Sequence, residues 1–259
     1  MIFDTHTHYD DEQFKEDRDA LLLSLKEQGV EAIANMGASM RGAKDSVALA
    51  KQYPFVYAAV GIHPDHAKDL NEEEFAILSA LAAEDKVVAI GEIGLDYYWD
   101  STEREEQKYW FKRQLELAEQ LELPVVIHSR EAAADTLEIM KEAYRQSGKK
   151  LTGVIHCFSY GVEMAQEYLK MDFFLGVGGV ATFKNGRKLK EVIEAAPLEK
   201  MVLETDCPYL APVPFRGKRN SSEKLHYVVA AIAEIKGITE EEVERVTWEN
   251  ACKLYRLEL

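Results

Sequence analysis

At 259 residues the chain matches the ~250 residues typical of one α/β barrel and is long for a two-layer domain. Hydrophobic residues make up 47% of it, enough for a sizeable core, yet no apolar run approaches the ~18 residues that suggest a membrane span. A formal charge of −15 disfavours nonspecific binding of polyanions over the whole surface, so a phosphate ligand has to be met by local cations.

Taken from the N-terminus, short β-branched and aromatic runs predict strands at residues 1–5, 30–36, 55–62, 86–92, 124–128, 152–157, 172–177 and 200–205. Val87-Val88-Ala89-Ile90 and Pro124-Val125-Val126-Ile127 are continuously apolar rather than alternating, as parallel strands covered on both faces require. Helical spacing fills the intervals. Trp110, Phe111, Leu115, Ala118 and Leu121 fall near a helical period over 102–121, and Leu137, Met140 and Tyr144 do so over 131–146. From Ser221 onward two or three closing helices are predicted, with Thr239 as an N-cap before Glu242. Eight strand–helix units fit a TIM (β/α)8 barrel or a doubly wound open sheet. The strand count and the lack of a Gly-rich dinucleotide fingerprint favour the barrel, as one domain over residues 1–259.

The opening MIFDTHTHYDDEQF lacks the basic stretch, long apolar segment and small-residue cleavage site of a secretory signal, which points to the cytoplasm. Cys157, Cys207 and Cys252 are odd in number and form no CxxC pair, arguing for reduced thiols rather than a disulfide framework or zinc cluster.

His6 and His8 sit two apart at the end of the first predicted strand, a spacing that turns both imidazoles to one face. An isolated pair of this kind is commonly two hydrogen-bonded surface histidines, so its meaning depends on what ends the other strands. In a β/α barrel functional groups gather where strands end. Glu92 ends the fourth predicted strand, His128 the fifth, His156 the sixth and Asp206 the eighth, all metal-ligand types closing apolar runs. Buried and uncompensated, such groups cost several kcal/mol each, unless a cation or hydrogen bonds satisfy them.

Four imidazoles and two carboxylates exceed the ligand set of one catalytic ion and predict two divalent ions. Glu92 is expected to bridge them, with His6, His8 and Asp206 on one and His128 and His156 on the other. Two such ions leave a local charge of about +2, able to draw phosphate into an acidic protein. Asp206 is also placed to act as general base. Glu204 shares its face and reads either as its partner or as an interior ion pair. Mg²⁺, Mn²⁺ and Zn²⁺ are all admissible on donor chemistry.

For substrate, His63 lies at the same rim, as a phosphate or leaving-group contact or an ordinary loop histidine. Arg130 and the run Arg216-Gly217-Lys218-Arg219-Asn220 are the expected anion contacts, Arg216 and Lys218 foremost. Tyr97, Tyr98 and Trp99 either stack bases or pack their loop. His66 and His226 receive no role.

The segments DTHTHYD, GEIGLDYYW, PVVIHSREA, GVIHCFS and ETDCPYLAPVPFRGKRN, spread over nearly the whole chain, resemble the TatD family of metal-dependent deoxyribonucleases. The resemblance implies an amidohydrolase-like TIM barrel, a metal site and hydrolysis of DNA phosphodiester bonds, often from the 3′ end, with single-stranded DNA ends as the partner. Matched motif by motif, it implies His6, His8, Glu92, His128, His156 and Asp206 as metal ligands and His63 as a phosphate contact. Two departures stand out. Glu92 occupies the place where wider metallohydrolases often carry a carboxylated lysine, and Ser221-Ser222 follow Asn220 where a Glu or Pro is expected. Two other functions compete with the nuclease: hydrolysis of a different ester, lactone or amide by the same chemistry, and a non-catalytic nucleic-acid-binding module.

Overall fold

The eight apolar runs form eight strands: β1 (Ile2–Thr7), β2 (Val30–Met36), β3 (Val56–Val60), β4 (Val87–Asp96), β5 (Val125–Arg130), β6 (Gly153–Ile155), β7 (Phe174–Val177) and β8 (Met201–Leu203). They come from a computed structural model of the chain, which describes residues 1–99 and 101–259. The helices between and after them are α1 (Arg18–Ser24), α2 (Met40–Gln52), α3 (Glu72–Ala82), α4 (Arg104–Gln120), α5 (Ala133–Gln146), α6 (Val162–Lys170), α7 (Arg187–Ala195), α8 (Leu225–Lys236) and α9 (Glu240–Tyr255). The strands form one sheet in the order β1 to β8. A parallel bridge between Thr7 and Cys207 joins the end of β1 to the chain leaving β8, which makes the fold a (β/α)8 barrel rather than an open sheet.

Contacts divide the chain into two compact units, residues 1–35 with 157–259 and residues 36–156. In the first, β1 pairs with β2 and β7 with β8, both in parallel. α9 secures this unit. Its Val243, Leu254 and Tyr255 are buried, each such side chain contributing about 1.5–3 kcal/mol by leaving water. The Tyr255 hydroxyl donates to Thr5 O at 2.6 Å, and Asn250 Nδ2 donates to Leu198 O at 2.8 Å and Met201 O at 2.7 Å. One helix thus ties β1 to the entry of β8. Thr239 caps it as expected, accepting from Glu242 N at 3.2 Å.

In the second unit β3, β4, β5 and β6 are neighbours in parallel. All ten residues of β4 are buried, which is why this segment carries no polar alternation. Buried Gln107 and Gln114 project from α4 and pair with main chain as strand residues would. Gln107 Oε1 accepts from Asp96 N at 2.9 Å while its Nε2 donates to Asp96 O at 2.9 Å. Gln114 Oε1 accepts from Ile62 N at 2.7 Å and its Nε2 donates to Ile62 O at 3.2 Å. These amides fix the end of β4 and the residue before His63.

Several boundaries differ from expectation. β4 runs on to Asp96, so Glu92 lies inside a strand instead of ending it, and β5 likewise continues past His128 to Arg130. Conversely β8 stops at Leu203, because Thr205 leaves the ladder to donate from N and Oγ1 to the Asp4 carboxylate at 2.9 and 2.6 Å.

Candidate functional site

In the unit of residues 1–35 and 157–259, the seam between β1 and the chain beyond β8 assembles a donor cluster. Asp206 N donates to His6 O at 3.0 Å and His8 N to Cys207 O at 2.8 Å, so the backbone itself brings the histidine pair to Asp206. Asp206 has φ 59°, a left-handed conformation that Asp tolerates better than most side chains. His6 Nε2 and His8 Nε2 stand 3.1 Å apart, and Asp206 Oδ1 lies 3.7 Å from the first and 3.5 Å from the second.

Below this cluster Asp4 is fully buried. Its Oδ2 accepts from Thr205 Oγ1 and from Ser222 Oγ, each at 2.6 Å, and Tyr9 OH meets the same Ser222 hydroxyl at 2.8 Å. Burial pushes the Asp4 carboxyl up to about 7, the hydrogen bonds opposing that rise. Ser222, unexpected from the family resemblance, therefore anchors the far end of the basic loop to β1. Glu204 accepts from Cys157 N at 2.6 Å, holding Cys157 at φ 46°. Gly176 makes room for that carboxylate, since a Cβ there would stand 2.2 Å from Glu204 Oε2.

In the unit of residues 36–156 a second cluster gathers on Glu92, which enters through a cis peptide from Gly91. Glu92 Oε1 is 2.9 Å from His128 Nδ1, 3.8 Å from His156 Nε2 and 3.9 Å from His63 Nε2. His128 Nε2 is 3.0 Å from Asp96 Oδ2, so both its ring nitrogens face carboxylates. Burial works against its charge, but the hydrogen bonds to Asp96 and Glu92 outweigh it and raise its pKa to about 9. His63 goes the other way, to about 4, through burial and the neighbouring charge of His128. Its Nδ1 accepts from Asp65 N at 3.2 Å, leaving Nε2 turned to Glu92. Gly94 lies at φ 148°, and a Cβ there would meet His128 O at 1.9 Å, so only glycine allows β4 this close to β5.

Ligand atoms ~2.0–2.2 Å from one divalent ion stand roughly 3–3.5 Å apart. The first cluster, at 3.1–3.7 Å, has that spacing, and in the second His63, Glu92 and His128 offer ligand atoms all within 4.8 Å of one another. Imidazole nitrogens with carboxylate oxygens suit Zn²⁺ or Mn²⁺, and the carboxylates admit Mg²⁺. The donors present fit divalent metal.

All six sequence-derived ligand positions thus fall in one cluster or the other, and His63 joins the second. Arg130 is exposed, its guanidinium 3.9 Å over the Tyr98 ring and 5.4 Å over that of Trp99. Arg216 lies 4.5 Å over Phe183, and it lines with Lys218 a cleft of 480 Å³. His66 pairs with Asp69 at 3.6 Å and His226 with Gln28 O at 2.8 Å, both outside the clusters. Sequence reading missed Asp96, Asp4 and the two glutamines of α4. For Asp96 the signal was present in Gly94-Leu95-Asp96, a carboxylate two positions beyond a glycine inside a strand-like run.

Paired imidazole–carboxylate clusters on a (β/α)8 barrel define the class of metal-dependent hydrolases. Residues 3–256 match the family model described as TatD related DNase, and the chain belongs to that family. It is 42% identical to the "Uncharacterized metal-dependent hydrolase YabD" of Bacillus subtilis (strain 168), over 99% of this chain and 100% of that protein. Similarity to the "3'-5' ssDNA/RNA exonuclease TatD" of Erwinia tasmaniensis is 32% identity over 99% of this chain and 100% of that one. Among solved structures, YJJV, a TatD homolog from Escherichia coli, superposes with a TM-score of 0.92 at 30% identity, covering 99% of this chain and 98% of the other. Among the described residues no helix is long and apolar enough to cross a membrane.

Proposed function

We propose that this metal-dependent hydrolase cleaves phosphodiester bonds of nucleic acid, removing nucleotides from the 3′ end of single-stranded DNA, with residues 1–259 as its one catalytic domain. The observation that carries this reading is the convergence of three imidazole nitrogens on Glu92 Oε1 and of two more on Asp206 Oδ1. The printed activity of the Erwinia relative supports the choice of substrate.

His6, His8 and Asp206 would hold one divalent ion, and Glu92 with His128, joined by His156 whose Nε2 lies 3.8 Å from Glu92 Oε1, would hold a second. Bound divalent ions supply Lewis acidity toward a phosphoryl oxygen and lower the pKa of water. The chain's own residues do the rest. Asp206, partly open to solvent, takes the proton of the attacking water on its carboxylate. Asp96 orients the His128 ring through Nε2. His63, kept neutral by burial, contacts the phosphate or the leaving oxygen through Nε2. Arg130, Arg216 and Lys218 bind the substrate backbone, adding local positive charge on a chain of net charge −15.

The test is nucleotide release from labelled single- and double-stranded DNA and RNA with Mg²⁺, Mn²⁺ or Zn²⁺. Glu92→Ala and Asp206→Ala are each expected to lower the rate by roughly three decades, the several kcal/mol of transition-state stabilisation that metal sites provide. Full activity in both variants would sink the reading. Turnover of esters, lactones or amides with none of DNA would replace the substrate class, and DNA binding without turnover under every metal would indicate a non-catalytic module.

A further inference from the structure

The loop that follows Asp206 builds a cleft whose chemistry goes beyond isolated phosphate contacts. Pro208, Tyr209, Leu210, Arg216 and Lys218 line it, and its 480 Å³ falls within the ~300–1,000 Å³ usual for ligand sites. Pro208 stands two residues from Asp206, hence within about 7–8 Å along the chain. The near wall of the cleft therefore adjoins the donor cluster on Asp206.

Its walls are held in place. Arg219, the third cation of the basic run, is committed to structure: it donates from Nη1 and Nη2 to the Asp17 carboxylate at 2.8 and 2.5 Å and from Nη1 to Gln13 O at 2.7 Å. Asn220 N closes the loop on Pro208 O at 2.9 Å. Gly217, at φ 84°, supplies the left-handed turn between Arg216 and Lys218. Tyr209 is 50% exposed, yet its hydroxyl donates to Asp11 Oδ2 at 2.9 Å, which fixes an open aromatic ring. Arg216 and Lys218 are exposed and, among the described residues, have no carboxylate partner. On a protein of net charge −15, two unneutralised cations beside a fixed ring select an anionic, aromatic occupant.

We propose that this cleft is a subsite for the nucleotides adjoining the scissile bond of a single strand, with Arg216 and Lys218 on phosphates and Tyr209 stacked against a base. This rests on the nuclease reading above and adds to it a place: the strand is gripped beyond the bond being cut, through a base as well as through phosphates. A base inside a duplex has both faces stacked on its neighbours, so only unpaired or terminal bases offer a face to Tyr209.

The test is equilibrium binding, in chelator to prevent turnover, of a short fluorescent oligothymidylate and of the same backbone made abasic. The protein is used as wild type, as Arg216→Gln/Lys218→Gln and as Tyr209→Leu. Losing two single-strand phosphate contacts is expected to make the log–log salt slope shallower by about 1.4. Tyr209→Leu is expected to weaken the thymidylate roughly tenfold, as loss of a base stack does, and to leave the abasic chain unchanged. All substituted residues are surface-exposed, and equal thermal midpoints check that each variant is folded. An unchanged salt slope, equal loss on both ligands in Tyr209→Leu, or polyglutamate binding as tightly as oligothymidylate overturns the subsite. Wild-type binding of this pattern without cleavage under any metal would refute the nuclease reading and leave the subsite standing. Wild-type cleavage with unaltered binding in the variants would do the reverse.

Discussion

The clusters on Asp206 and on Glu92 are made of the same side-chain types but are held by different means. Around Asp206 the main chain does the positioning: two backbone hydrogen bonds join residues 6 and 8 to residues 206 and 207, and a left-handed φ at Asp206 completes the turn. Around Glu92 side chains do it. Asp96 and Glu92 bracket His128, and Gln107 clamps Asp96 by both its backbone polar groups. The second cluster depends on a connected buried polar network, in which the loss of one member leaves others unsatisfied.

The largest effect expected from this contrast is at Gly94. Gly94→Ala drives a Cβ to 1.9 Å from His128 O at φ 148°, and is expected to destabilise the protein by more than about 4 kcal/mol. Thermal unfolding measures it, and a near-wild-type midpoint would show that β4 and β5 are less tightly matched than their register indicates. Asp96→Asn comes next. It keeps the shape of the network but weakens the partner of His128 Nε2, so metal affinity is expected to fall about 10–100-fold with the fold intact. Titration of chelator-treated protein with Mn²⁺ checks this, and unchanged affinity would make Asp96 a bystander.

The third effect is on pH. With its pKa raised to about 9, His128 is protonated at neutral pH in chelator-treated protein, and an ion must displace that proton. Affinity at the Glu92 cluster is therefore expected to rise with pH up to about 9, by at most roughly tenfold per unit for one proton, and then level off. Calorimetry in buffers of different ionisation enthalpy reads the released proton directly. Asp96→Asn should flatten the dependence by removing one of the two carboxylates that raise the pKa.

Most of the frame was legible in the sequence, because parallel strands buried on both faces leave a direct mark. Residues 30–36 are delimited to the residue, and the ligand types at positions 6, 8, 92, 128, 156 and 206 could be picked out where apolar runs give way to polar groups. What escaped is what apolar periodicity cannot express. Gly94 lies past the predicted end at residue 92, yet β4 passes through it because the chains approach closely there, and this hid Asp96 beyond the apparent end. Gln107 and Gln114 are polar residues of α4 that are buried and pair with main chain, which apolar periodicity does not mark. Asp4 follows the apolar start of β1 and shows no sequence sign of its burial against Thr205 and Ser222.

Metal stoichiometry tests most directly the claim that each cluster holds its own ion. Elemental analysis of the purified, metal-loaded protein is expected to give two ions per chain, falling to one in His8→Ala and to one in His128→Ala. A single ion in the wild type, or two ions in both variants, would contradict it.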